Sequence, residues 1–171
     1  MPKIILDSSI VDDQWATMSE DVAASIPNAK DAPHLIVTRK IWQIRRDELI
    51  ARGGALGLLL QTNDEPIPFS SDVSIFALIA IHFEKFTDGR GYSLGHLLRE
   101  RFGFKGELRA VGDVLQDQLF YLKRSGFNAF AIRADKNIDA ALKSLKDFSE
   151  TYQGAWDQPL PLFKRRQAAG A

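Results

Sequence analysis

The block Asp88-Gly-Arg-Gly-Tyr-Ser93 is where residue types and spacing in this sequence best suit chemistry. Gly89 and Gly91 flank Arg90 just ahead of a helical pattern. A backbone without Cβ atoms can approach an anion closely and turn its N–H groups toward it. Arg90 would then clamp a phosphate, sulfate or carboxylate, with Asp88, Tyr92 and Asp113 fixing its geometry. The competing reading is a tight turn in which Asp88 pairs with Arg90 or a strand arginine and the glycines only supply positive φ angles. The block is neither a Walker loop nor a complete dinucleotide fingerprint.

Parallel α/β folds place ligands at the carboxyl ends of their strands. Three apolar segments end in charged stretches of that kind. One leads into Glu84, Lys85, Thr87 and the 88–93 block, the second into Gly112 and Asp113, the third into Asp135 and Lys136. With the strand-borne Arg109 and Arg133, the candidate anion-binding set is Asp88, Gly89, Arg90, Gly91, Tyr92, Ser93, Arg109, Asp113 and Arg133. Glu107 and Arg109, two apart on one strand face, are expected to pair with Arg133 or Asp113. They would form either an acid–base set or a salt-bridge network filling a narrow interior. His82 reads as a general base at a strand end or as a hydrogen-bonded core residue. His34, His82 and His96 lack metal-ligand spacing, so no metal is expected. Gln116, Asp117, Gln118 and Tyr121 make a solvated helix face or a partner surface.

The elements that must position these residues follow from periodicity. Lys3–Val11 reads as a hairpin turning at Asp7–Ser9. Residues 12–33 carry Pro27 and Pro33 and read as a surface arm with a helical turn near 20–25. Strands are expected at 34–38, 56–61, 74–83, 107–111 and 129–133. Helices are expected at 40–52, stopped by Gly53-Gly54, from Ser93 as N-cap to Gly103, from an Asp113/Gln116 capping box to Gly126, and from Asn137 to Tyr152. Residues 62–72 read as a loop. The fold class is α/β, with about five mostly parallel strands alternating with helices behind an N-terminal hairpin and arm. Both an open doubly wound sheet and a half-barrel fit, since one strand face carries alanines and charges (Glu107, Arg109; Ala129, Ala131, Arg133) as a barrel interior does. The division expected is a hairpin and arm over 1–33, one α/β domain over 34–154 and a loose tail over 155–171.

Composition excludes several classes. Of 171 residues, Lys plus Arg and Asp plus Glu number 22 each, so binding dominated by a nucleic-acid backbone is not expected. There is no cysteine, which rules out thiolate-held clusters, disulfides and cysteine nucleophiles. The start lacks a signal-peptide pattern and the apolar run 75–81 is too short for a bilayer, so a cytoplasmic protein without a membrane partner is expected. Trp156, Leu160, Leu162 and Phe163 in the tail, together with two open sheet edges, lead to the expectation of a homodimer.

The blocks DGRGYS (88–93) and GELRAVGDVLQDQ (106–118), within the run Phe83–Tyr152, resemble a bacterial family of unknown function. That family is often labelled an oxidoreductase of sulfite reduction. The resemblance implies a part in sulfur assimilation beside assimilatory sulfite reductase, without supplying catalytic residues or a cofactor. Where the family commonly carries a cysteine before a Gly-Phe pair this chain has Ser125, and where alanine and arginine are common it has Gly95 and His96. The expected function is an accessory role in sulfite reduction with a small anion bound at the strand ends. The alternative is a non-catalytic module that docks on sulfite reductase or a related enzyme.

Overall fold

The computed structural model describes residues 2–18, 20, 21, 25–65 and 67–169. The eight strands are β1 (Lys3–Leu6), β2 (Ser9–Asp12), β3 (Ala16–Thr17), β4 (His34–Thr38), β5 (Ala55–Gln61), β6 (Leu78–Phe83), β7 (Glu107–Gly112) and β8 (Ala129–Phe130). They form one sheet in the order β2-β1-β8-β7-β6-β5-β4-β3. From β3 to β8 each strand lies parallel beside its predecessor in the chain. With no reversal of winding, every right-handed crossover falls on the same side. The helices α1 (Arg39–Ala51), α2 (Arg90–Glu100), α3 (Leu119–Arg124) and α4 (Ile138–Ser144) therefore collect on one face. The sheet curls into a half-barrel, which decides between the two architectures left open above.

Side-chain alternation divides the apolar residues accordingly. Leu56, Leu58, Leu60, Ile79, Ile81, Phe83, Leu108 and Ala110 share the main core with Ile41, Trp42, Leu98 and Leu122 of the helices. The intervening residues face the concave side, where Ile36, Leu78 and Ala80 form a small second cluster against Trp15, Leu59 and Val111. The hairpin closes the sheet beyond β8, with Ile5 opposite Phe130, and turns through positive φ at Asp7 and Ser8.

Several element boundaries differ from expectation, each for a local reason. In α1 the inward residues are Ile41, Trp42 and Leu49, while Ile44 is exposed; Arg45 departs from helical geometry with φ −123° and shifts the buried stripe. Residues 67–75 form a 3-10 helix rather than a loop, and it takes in Ser74 and Ile75, so β6 begins only at Leu78. α4 ends at Ser144, whose hydroxyl donates to the Gln116 and Ala141 carbonyls, so Phe148 and Tyr152 stand outside it. β8 is paired over two residues instead of five. The arm is more than surface: Met18 and Ala32 are buried, and β3 adds a strand. The helical turn expected near 20–25 lies in part outside the described residues.

The tail is ordered on its own chain. The Trp156 N–H donates to the Arg124 carbonyl (3.1 Å), and its ring lies against Arg99 and Lys105. The Leu162 N–H donates to the Tyr152 carbonyl (2.9 Å) ahead of α5 (Leu162–Ala169). The sequence element offered for a dimer contact thus packs intramolecularly, although Leu160 and Phe163 remain exposed. Among the described residues no helix is long and apolar enough to cross a membrane.

Candidate functional site

The carboxyl edge of the sheet holds a tied network around the loop between β6 and α2. Asp88 stands just before α2. Its carboxylate accepts the Arg90 backbone N–H (3.1 Å), the Arg90 guanidinium through Nε (2.9 Å) and Nη2 (2.7 Å), and the Thr62 hydroxyl (2.5 Å). α2 consequently starts at Arg90, with Gly89 as N-cap, and not after Ser93 as expected. The Arg90 and Thr62 bonds hold the Asp88 carboxyl well below its ordinary pKa range. A carboxylate already occupies the helix N-terminus, where an oxyanion would have to sit.

The glycines of the block serve packing. Gly89 has φ −72°, and Gly91 is likewise absent from the left-handed region. A Cβ on Gly91 would lie 2.4 Å from the Phe83 ring, and one on Gly95 equally close to Phe127. These positions let α2 settle directly onto the aromatic layer of the core. Gly89, by contrast, has open space around it. The positive φ expected of these glycines in a tight turn is absent.

Asp113 is a tie between strand ends and not the helix cap expected from its spacing. It accepts the Phe86 N–H (2.9 Å) and Arg133 Nη1 (2.9 Å), and these bonds lower its carboxyl pKa. Arg133 turns its remaining face to Asp135 in a two-pronged contact (2.9 and 3.0 Å). Helix capping falls instead to Gln118, which accepts the Leu115 N–H and donates to the Phe86 carbonyl (2.7 Å) and the Tyr92 hydroxyl (3.3 Å). Burial raises the Tyr92 pKa. His82 is half-buried with Nδ1 3.1 Å from Gln61 Oε1. Thr62 is the member that sequence reasoning missed, since a threonine in a polar stretch carries no signal of such a role, and Gln118, read as part of a solvated or partner face, is turned inward instead.

Arg109 belongs elsewhere. It lies mid-strand on the concave face, 2% exposed, and donates to Glu107 (2.7 Å) and to Asp13 of the arm (2.9 Å). Asp13 replaces the Arg133 and Asp113 partners expected for the pair. Its position 96 residues away, in a segment with no periodicity, left nothing to detect. Burial holds the Glu107 carboxyl above its ordinary range against the pull of Arg109. The candidate set therefore separates into an edge group (88–93, Asp113, Arg133) and a concave-face group (Arg109). In both groups each arginine is bonded to carboxylates.

A third feature lies on the helix side. Phe120, Tyr121, Phe148 and Tyr152 line an open cleft of about 320 Å³ with Arg124 and residues 150–153. Phe120 packs against Tyr121 and Phe148, with ring centroids 5.3 and 4.7 Å away. Tyr121, Phe148 and Tyr152 are exposed. Of the helix face considered as a partner surface, Tyr121 points outward while Gln118 is buried. Among the described residues no group of three or more His, Asp or Glu side chains is placed to hold a metal.

A family model of bacterial proteins of unknown function (DUF934) matches residues 57–163. The chain belongs to this family. The matched stretch runs from β5 into α5, so it holds the whole edge network, the aromatic cleft and the tail contacts, whereas Asp13, Trp15 and His34 of the concave face lie before it. Comparison with curated proteins finds no match.

Proposed function

We propose that this protein is a non-catalytic docking module of bacterial sulfur assimilation, with sulfite reductase or a related enzyme as its partner. The observation that carries this reading is the state of the three candidate arginines. Arg90 is held by Asp88, Arg133 by Asp113 and Asp135, and Arg109 by Glu107 and Asp13. These carboxylates already offset the charge of each guanidinium, which weighs against the anion-binding alternative. The exposed aromatic group of Tyr121, Phe148 and Tyr152 has the composition of an interface core, in which Tyr and Phe are enriched and charge is depleted. The link to sulfite reduction rests on the DGRGYS and GELRAVGDVLQDQ resemblance.

Titration of the purified protein onto immobilised assimilatory sulfite reductase tests it. Saturable binding that is weakened at least about tenfold by Tyr121→Ala with Phe148→Ala supports docking through this surface. Absence of binding, together with saturable uptake of sulfite, sulfate or phosphate that Arg90→Ala abolishes, supports the anion site instead.

A further inference from the structure

The concave face carries a second, independent feature. A cavity of about 240 Å³ opens between the hairpin, the arm and the starts of β4 and β7. Its apolar wall is Ile4, Leu6 and Val11; Trp15 lies across it with its ring 5.2 Å from that of His34. Its polar lining includes Asp12, Asp13, Glu107 and Arg109, three carboxylates against one guanidinium.

One hydrogen-bonding position in this lining is unused among the described residues: Glu107 bonds Arg109 through Oε1 only, leaving its other oxygen without a partner. Both Asp13 oxygens are engaged, one by Arg109 and the other by the Trp15 N–H. Glu107 and Asp13 share a single guanidinium, so the buried group lacks a full counterion. An anion would meet that excess negative charge. Among the described residues the carboxylates are not grouped to hold a metal ion. A cation fits, with an indole face for cation–π contact and an apolar wall for a short hydrocarbon body.

We propose that this cavity binds a small organic cation, a primary ammonium on a short aliphatic chain, through the Glu107 carboxylate and the Trp15 ring. The site does not depend on the docking reading, since it lies on the opposite face of the sheet from α3.

The test is a titration of the full-length ¹⁵N-labelled protein with n-butylammonium, butyrate and n-butanol at constant ionic strength. It is followed by the Trp15 indole resonance and the amides of residues 11–15 and 107–109. The expected result is a saturable shift with butylammonium in the millimolar range or tighter, and at least about tenfold weaker response to the other two probes. Glu107→Gln should weaken butylammonium binding about tenfold or more. Trp15→Leu, which leaves the buried ion pairs intact, should weaken it severalfold and serves if Glu107→Gln proves unstable. No saturable shift with butylammonium, equal affinity for butyrate or butanol, or unchanged affinity in Trp15→Leu overturns the proposal.

Discussion

Removing the Arg109 guanidinium is the most informative perturbation of this fold. Arg109 is 2% exposed, and the side chains of its partners Asp13 and Glu107 are each 14% exposed. Arg109→Ala strands two buried carboxylates side by side and deletes the aliphatic stem that fills the concave face. Removing one partner of a buried pair costs about 3–5 kcal/mol. The adjoining cavity admits some water, which places this case near the lower bound, about 3 kcal/mol. For a chain of this length that corresponds to a fall in Tm of about 10 °C. Thermal unfolding at pH 7 followed by far-UV circular dichroism and calorimetry measures it. Arg90→Ala is the matched control: Arg90 is 65% exposed at a solvent-facing loop, and loss of its screened pair with Asp88 should lower Tm by no more than about 2 °C. A triple variant, Arg109→Met with Asp13→Asn and Glu107→Gln, should regain most of the lost stability because no unpaired charge remains. If Arg109→Ala unfolds within about 2 °C of wild type, or the triple variant is no more stable than the single one, the buried-pair reasoning fails.

Asp88 has a folded-state pKa below its unfolded value, so its bonds to Arg90 and Thr62 contribute stability above the ordinary aspartate range, and that contribution is lost as pH falls through the folded pKa. Asp88→Asn should therefore flatten the acid limb of the Tm–pH curve below about pH 4, and an unaltered limb would contradict the pairing. Gly91→Ala should destabilise by about 1–3 kcal/mol, because its methyl meets the Phe83 ring, whereas Gly89→Ala should be neutral or slightly stabilising. Denaturant unfolding of the two variants separates a packing glycine from an anion cradle, for which Gly89 would be the sensitive position.

Much of the fold was legible because it rests on local physics. The hairpin turn at Asp7–Ser8, the Gly53-Gly54 stop of α1 and the Asn137 cap of α4 are each set by a few adjacent residues, and the structure has all three. Apolar alternation located the parallel strands to within a few residues, apart from β3, which lay in the segment read as an arm, and the shortened β6 and β8, and the small and charged residues on one strand face pointed to the half-barrel alternative. Whether the sheet winds one way or two depends on which strand each crossover reaches. That is a global choice, and only the strand order decides it.

The site was less legible. That Asp88, Arg90, Asp113 and Arg133 stand beyond the carboxyl ends of the strands follows from strand–helix order; in the structure they form two bonded groups there, Asp88 with Arg90 and Thr62, and Asp113 with Arg133. Their partners do not follow from it. Asp113 has capping spacing, yet it ties Phe86 to Arg133 because the end of β7 lies beside both. Arg109 was placed with this edge, whereas strand register turns it onto the concave face toward Asp13. The sequence by itself determined the element types and which residues face a common side, since both depend on interactions a few residues apart. Tertiary structure alone decided which carboxylate meets which arginine, because such pairing depends on contacts between segments tens of residues apart that leave no periodic trace.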